Sequence, residues 1–224
     1  MDAERFVHCV AALGIHLRPD QVAQFEQFEA ELYATNEVMN LTRVPREECW
    51  LRHFVDSLLF QSMIPTGASV LDIGTGPGFP AWPLAVARPD LKVLGLDSNG
   101  KMVGFLQRMA VPNLETLKER AEDWRVSERF DFVTGRAVAP LSTQLELSAR
   151  PCRLRQRVVP MRGVSDRENM AKVDLEPLGL RFVDAIERPL PDTDVVRLFP
   201  IYEKVARTKP GFPRRWADMK RVPL

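Results

Sequence analysis

Along the first sixty residues, apolar positions recur with a helical period. In "DQVAQFEQFEAELYA" (20–34), Val22, Phe25, Phe28 or Glu29, and Leu32 fall on one face behind Asp20, a candidate cap, and the spacing predicts a helix. "REECWLRHFVDSLLFQ" (46–61) predicts a second amphipathic helix, which "IPTG" (64–67) ends. The rhythm then changes to short apolar runs alternating with helical stretches. "SVLDI" (69–73), "LKVLGLD" (91–97), "LETLKE" (114–119), "FDFVTG" (130–135) and "RVVPM" (157–161) read as strands. Helices are expected near 78–88, 100–110, 140–149 and 166–175. "RFVDAIE" (181–187) and "VVRLFPIYEKV" (195–205) follow with no helix between them, only a "RPLPDTD" turn. Alternating strands and helices predict a parallel sheet covered on both faces. The last two strands predict an antiparallel hairpin at its edge. In such sheets ligands bind beyond the C-terminal ends of the strands, where Asp72, Asp97 and Arg136 fall.

Composition fits this picture: 45% hydrophobic and 27% charged residues suit one sizeable core with a solvated surface. No run approaches the roughly 20 apolar residues of a membrane span. The acidic opening "MDAERFVHCV" lacks the pattern of a signal peptide. Cys9, Cys49 and Cys152 are scattered and form no C-x-x-C pair. Cys49 and His53 stand at i, i+4 with no third ligand in sight, so no metal site is expected. The reading is a cytoplasmic protein. Net charge is only +1, but the charges are segregated. Residues 1–62 carry ten acids and five Arg, whereas Arg150–Arg162 holds five Arg and no acid, and Arg207–Leu224 six Lys or Arg and one acid. A basic surface from the second half of the chain would suit a polyanion.

The densest chemistry lies in "LDIGTGPGFPAWPLA" (71–85). A dinucleotide loop, G-x-G-x-x-G/A, needs a small sixth residue, and here that residue is Phe79; a P-loop needs G-K-[ST], which is absent. What remains is D-x-G-x-G-x-G, formed by Asp72, Gly74, Gly76 and Gly78. This resembles the first motif of S-adenosylmethionine-dependent methyltransferases with a Rossmann-like sheet. Free backbone N–H groups at the following helix suit that ligand's carboxylate. Asp72 would serve its ammonium directly or through the backbone. Asp97, at the end of the second strand, would accept both ribose hydroxyls. Ala121 and Glu122, after the third strand, would read the adenine edge.

The acceptor is narrowed by what is missing. Amino-group methylation calls for [DN]-P-P-[YF] after the fourth strand, where this chain has "GRAVAPL". Carbon methylation of cytosine calls for a cysteine near that strand, and Cys152 lies a helix later. Guanine N7 has a free lone pair and no proton to lose, so placement alone would serve it.

At this point the chain, from about Asn36 to Leu224, resembles the small-subunit ribosomal RNA guanine-N7 methyltransferases, the RsmG or GidB family. "NEVMNLTRV", "RHFVDSL", "DIGTGPGFP", "LDSNGKMVGFL", "RAED", "GRAVAPL" and "TKPGFPRRWADMKRVPL" carry the resemblance in order. It implies a Rossmann-like class I methyltransferase, α/β, with a mostly parallel seven-stranded sheet, an antiparallel edge hairpin and a helical N-terminal extension. It implies S-adenosylmethionine as cofactor, with Gly74, Phe79, Ser98, Ala121, Glu122 and Arg136 among its contacts. Arg136 carries a condition: beside a sulfonium, its guanidinium needs a carboxylate or phosphate partner. Asn40, His53, Asp56 and Ser57 would lie near the target, the last three on one helix face or else docking the N-terminal helices onto the sheet. Lys209, Arg214 and Arg215 would grip RNA phosphates, and Phe212 and Trp216 would stack on bases or pack.

There are departures. Arg162, a further residue expected near the target, stands for the family's lysine. Gly135 stands for its serine, Ala81 for a glycine, and "RQR" precedes the fifth strand in place of a glycine pair. The expected layout is a helical N-terminal subdomain (1–64), a Rossmann-like core (65–206) and a basic tail (207–224). The expected substrate is 16S ribosomal RNA or the small subunit, met by a monomer. The alternative is a non-catalytic RNA-binding assembly factor that keeps the fold.

Overall fold

The computed structural model describes residues 1–224. Helices α1 (Ala3–Ala12) and α2 (Pro19–Met39) lead into a turn-rich helical segment, π-helical over Trp50–Val55 and continued by α3 (Asp56–Leu58). The alternating part follows: β1 (Ser69–Ile73), α4 (Ala81–Ala87), β2 (Lys92–Asp97), α5 (Gly100–Arg108), β3 (Leu114–Lys118), β4 (Phe130–Thr134), α6 (Leu141–Ala149) and β5 (Cys152–Val158). The chain ends with β6 (Arg162–Gly163), α7 (Arg167–Met170), β7 (Leu180–Pro189), β8 (Val196–Lys204) and α8 (Trp216–Arg221).

The strand order is β3-β2-β1-β4-β5-β8, parallel from β3 to β5. β8 runs antiparallel between β5 and β7, with Tyr202 opposite both Val158 and Phe182. The sheet has eight strands where seven are expected. The expected strand over 157–161 begins earlier, at Cys152, and stops at Val158. Pro160 lacks a ladder donor, and the chain rejoins β8 only at Arg162–Gly163. Two local expectations shift as well. Asp20 is not the cap of α2: Pro19, with its preset φ, occupies the first turn, and Asp20 beside it binds Arg18 at 2.8 Å. The helix expected over 166–175 shrinks to the single turn α7.

Side chains alternate across the sheet. Val70, Val93, Phe132, Phe199 and Ile201 face a cluster of 36 buried residues that also holds Phe6, Phe25, Phe28 and Phe54 of the N-terminal helices and Trp82 of α4. Residues 1–64 therefore share one core with the sheet. Leu71, Ile73, Leu94, Leu96 and Val133 face a second cluster of 16. There α6 packs beside Met219 of α8, with Trp124, Val126 and Trp216 against them. Between β3 and β4 the chain makes turns and no helix, and the C-terminal tail supplies cover on that face.

Candidate functional site

The glycine loop is stitched across the C-terminal ends of β1 and β2. Gly74 N and Thr75 N both donate to Leu96 O, at 2.7 and 3.1 Å, and Gly76 N donates to Asp97 Oδ2 at 2.9 Å. Asp97 Oδ1 accepts from Asn99 N at 2.7 Å. Gly74 sits at φ +68°, and a Cβ there would lie 3.0 Å from Val138. Gly78 sits at φ +122°, and a Cβ there would lie 2.8 Å from Leu106 Cδ1 and 3.1 Å from Trp82 Cβ. Gly78 thus serves helix packing, whereas Gly74 opens the wall of a pocket.

That pocket, about 310 Å³, lies between the ends of β1, β2 and β3 and the segment after β4. Of the residues expected to hold the cofactor, Gly74, Asp97, Ser98, Ala121 and Glu122 line it. Asp72, Gly76, Gly78, Phe79 and Arg136 do not, and each is engaged elsewhere. Asp72 is wholly buried behind the loop, where Oδ2 accepts from Ala81 N at 3.0 Å and starts α4. Burial pushes its pKa up to about 7, opposed by the Ala81 amide, which favours the carboxylate. Its Oδ1 and the Thr75 hydroxyl remain without hydrogen-bond geometry to any partner. Acceptors at the rim, backbone stripped of side chains and a buried carboxylate behind them suit a ligand carrying hydroxyls and a cation.

Beside the loop lies a polar cluster built on the π-helical turn. Arg136 Nη1 donates to Asp56 Oδ2 at 2.9 Å and to Arg52 O at 3.2 Å. Arg197 of β8 donates to the same carboxylate from Nε at 2.7 Å and from Nη2 at 3.1 Å. Asp56 is fully buried, and the condition set on Arg136 is met by this carboxylate. Burial lowers the Arg136 pKa, with Asp56 opposing the shift. Arg136 Nη2 lies 3.1 Å from His53 Nδ1, and a guanidinium only donates, so Nδ1 accepts. The His53 proton then sits on Nε2, 2.7 Å from Thr42 Oγ1. Burial first, then Arg136 and Arg52, hold the His53 pKa down to about 3, so the ring is neutral with both nitrogens occupied. Phe79 stacks on it, centroids 4.1 Å apart and planes 2° apart, and carries the Arg136 guanidinium 5.3 Å from its centroid.

Other expected residues sit as follows. Ser57 Oγ donates to His53 O at 2.5 Å, within the helix. Asn40 ends α2 in the left-handed region, exposed, outside the cluster. Arg162 donates from Nη1 to Ala139 O and Gln144 Oε1, both at 2.8 Å, while Gln144 Nε2 holds Gly135 O at 2.7 Å. It braces the segment carrying Arg136. A Cβ at Gly135 would stand 2.6 Å from Ile73 O, which explains glycine there. In the tail, Arg215 is exposed and Lys209 binds Glu176 at 2.5 Å. Arg214 grips buried Glu146 through four bonds of 2.6–3.2 Å, one of them from its own backbone N–H. Trp216 lines the pocket.

Sequence reasoning missed Arg197, Thr42 and Val138. Arg197 breaks the apolar run of β8, and a charge inside such a run is the one signal that marked it. Among all residues, no three His, Cys, Asp or Glu side chains come together as a metal site, and no helix is long and apolar enough to cross a membrane.

The family described as GidB, rRNA small subunit methyltransferase G, matches residues 21–184. A protein named "Ribosomal RNA small subunit methyltransferase G" from Lachnoclostridium phytofermentans is 36% identical, over 100% of this chain and 98% of its own. Its namesake from Roseiflexus sp. (strain RS-1) is 35% identical, over 99% of each chain. Among solved structures, a SAM-dependent methyltransferase from Aquifex aeolicus matches with TM-score 0.54 and 18% identity, over 69% of this chain and 93% of that one. M. jannaschii TYW2, solved in complex with AdoMet, matches with TM-score 0.51 and 16% identity, over 62% and 69%. These two likenesses concern the fold: a Rossmann-like methyltransferase sheet.

Proposed function

The chain belongs to the rRNA small subunit methyltransferase G family, and from that premise we propose that it transfers a methyl group from S-adenosylmethionine to N7 of a guanine in 16S ribosomal RNA. The cofactor supplies an electrophilic methyl carbon on a sulfonium. Asp97 would take the ribose hydroxyls, Ala121 and Glu122 the adenine edge, and the bare backbone at Gly74 the amino-acid end. Asp72 would act from behind the loop, through the backbone it orders.

The observation that carries the choice of N7 is a cluster with no free base. His53 is neutral, but Nδ1 and Nε2 are both committed. Asp56 is held by two guanidiniums, and arginine does not accept protons. An acceptor that had to lose a proton would find no free base in this cluster to take it. N7 needs none, and catalysis reduces to placement near the donor carbon. The Asp56 carboxylate, shared by Arg136 and Arg197, screens part of their charge, and Arg136 orders His53 and Phe79 beside the loop.

We read the substrate as 16S RNA, alone or in the small subunit, and the enzyme as a cytoplasmic monomer with three parts, 1–64, 65–206 and 207–224. Chemical cleavage at 7-methylguanine in 16S RNA, from cells with and without the gene, tests the acceptor. Loss of one cleavage site is the expected result, and an unchanged pattern refutes it. Calorimetry with S-adenosylmethionine tests the enzyme against a non-catalytic assembly factor, for which no binding is expected.

A further inference from the structure

A second concavity, about 860 Å³, opens at the other end of the sheet from the cofactor pocket. Its wall is formed by the turn before β4, by Arg150 before β5 and by the tail from Lys204 to Asp218. Seven of its 15 lining residues are Lys or Arg and two are acids. One lining residue is hydrophobic, so the hollow offers little to an apolar partner.

The cations there divide into two sets. Arg214 is consumed by Glu146, and Lys204 is buried against Leu178 O and Thr208. These hold the tail in place. Arg207 and Lys209 are exposed and lean on the acids Glu128 and Glu176. Arg125, Arg150 and Arg215 form no ion pair at all. Unpaired guanidiniums around a hollow are forks without a carboxylate, and a phosphodiester fits such forks. The hollow is also tied to the donor side: a narrow crevice lined by Arg150 and Pro213 is lined as well by Ile73, Leu96 and Ala121, of the cofactor-pocket wall.

We propose that this hollow is a second RNA contact, with Arg125, Arg150 and Arg215 binding phosphates of the substrate strand at a distance from the target base. The inference rests on the ribosomal RNA reading above. β4 spans five residues between the two ends of the sheet, about 17 Å. At the roughly 3.4 Å rise per nucleotide of a stacked strand, that separation corresponds to about five nucleotides from the methylated base. Arg214, expected from the sequence to grip RNA, acts instead by anchoring the tail that presents Arg215.

The test compares two triple variants of the full chain. One is Arg125→Gln, Arg150→Gln, Arg215→Gln. The other is Lys172→Gln, Arg181→Gln, Arg188→Gln, which removes the same charge from exposed positions elsewhere. RNA affinity is measured by fluorescence anisotropy over a salt series, and S-adenosylmethionine affinity by calorimetry. Removing three phosphate contacts lowers the slope of log affinity against log salt by about 2 and weakens binding at least about tenfold. The control keeps the wild-type slope, and all three proteins bind S-adenosylmethionine alike. The proposal is overturned if the first variant keeps the slope, if the control loses as much, or if donor affinity falls in parallel, which assigns the loss to the fold. Wild-type protein without salt-sensitive RNA binding overturns the substrate reading itself, an outcome distinct from the other three.

Discussion

Replacing Asp56 by Asn tests whether the cluster is held by one shared charge. The carboxylate is fully buried and takes three hydrogen bonds from Arg136 and Arg197, whose side chains are 18% and 30% exposed. An amide of the same shape removes the charge and turns one acceptor into a donor facing a guanidinium. Breaking a buried ion pair by changing one partner costs about 3–5 kcal/mol, and the partial exposure of the arginines places this case near the lower end. With a urea m-value near 3 kcal/mol/M for a chain of this size, the unfolding midpoint falls by about 1 M. Arg197→Gln leaves Asp56 paired with Arg136 and removes bonds from the more exposed partner, so its expected cost is about 1 kcal/mol. The triple change Asp56→Leu, Arg136→Met, Arg197→Met removes the whole charged set and recovers most of the loss. Urea unfolding followed by tryptophan fluorescence reads all of these. A loss below about 1 kcal/mol for Asp56→Asn would refute the shared-charge account, because Asp56 would then be only one polar contact among many.

Three further outcomes are expected. His53 has its pKa lowered to about 3 by burial, so the unfolded chain binds the extra proton between pH 6.5 and 3 and stability falls as pH drops through that window. At pH 5 this amounts to about 2 kcal/mol, and His53→Gln loses less between pH 7 and 5 in the same unfolding assay. Asp72, raised to about 7 by burial, carries the opposite sign: the folded state favours its neutral form, and stability declines as pH rises from about 4 to 7. Asp72→Asn keeps an acceptor for Ala81 N–H, so it melts higher than wild type at pH 8 yet binds S-adenosylmethionine more weakly; a lower melting temperature refutes this. Glu146→Gln weakens the Arg214 clamp and loosens the tail that bears Trp216. Trypsin then cleaves after Arg215 faster than in wild type, and S-adenosylmethionine affinity falls; equal cleavage rates refute the clamp.

The pattern of the chain made the centre of the sheet legible because β1, β2 and β4 are buried on both faces, and such strands carry short, unbroken apolar runs. The glycine loop was legible as well, but its three glycines answer to different needs. Gly74 bares backbone at a pocket, whereas Gly78 lets α4 and α5 close on each other, a distinction that rests on Leu106 and Trp82 and is invisible in the motif. The tail shows a related limit. Lys209, Arg214 and Arg215 look alike as a charge run, yet only contact geometry separates a solvent-facing cation from one matched to a buried glutamate 68 residues earlier. Arg197 and Asp56 stand 141 residues apart and meet only because β8 inserts between β5 and β7. The insertion brings the last long strand of the sheet against the N-terminal helices. A polar cluster that depends on it therefore forms only when both ends of the chain are in place, which ties the order of the candidate site to completion of the fold.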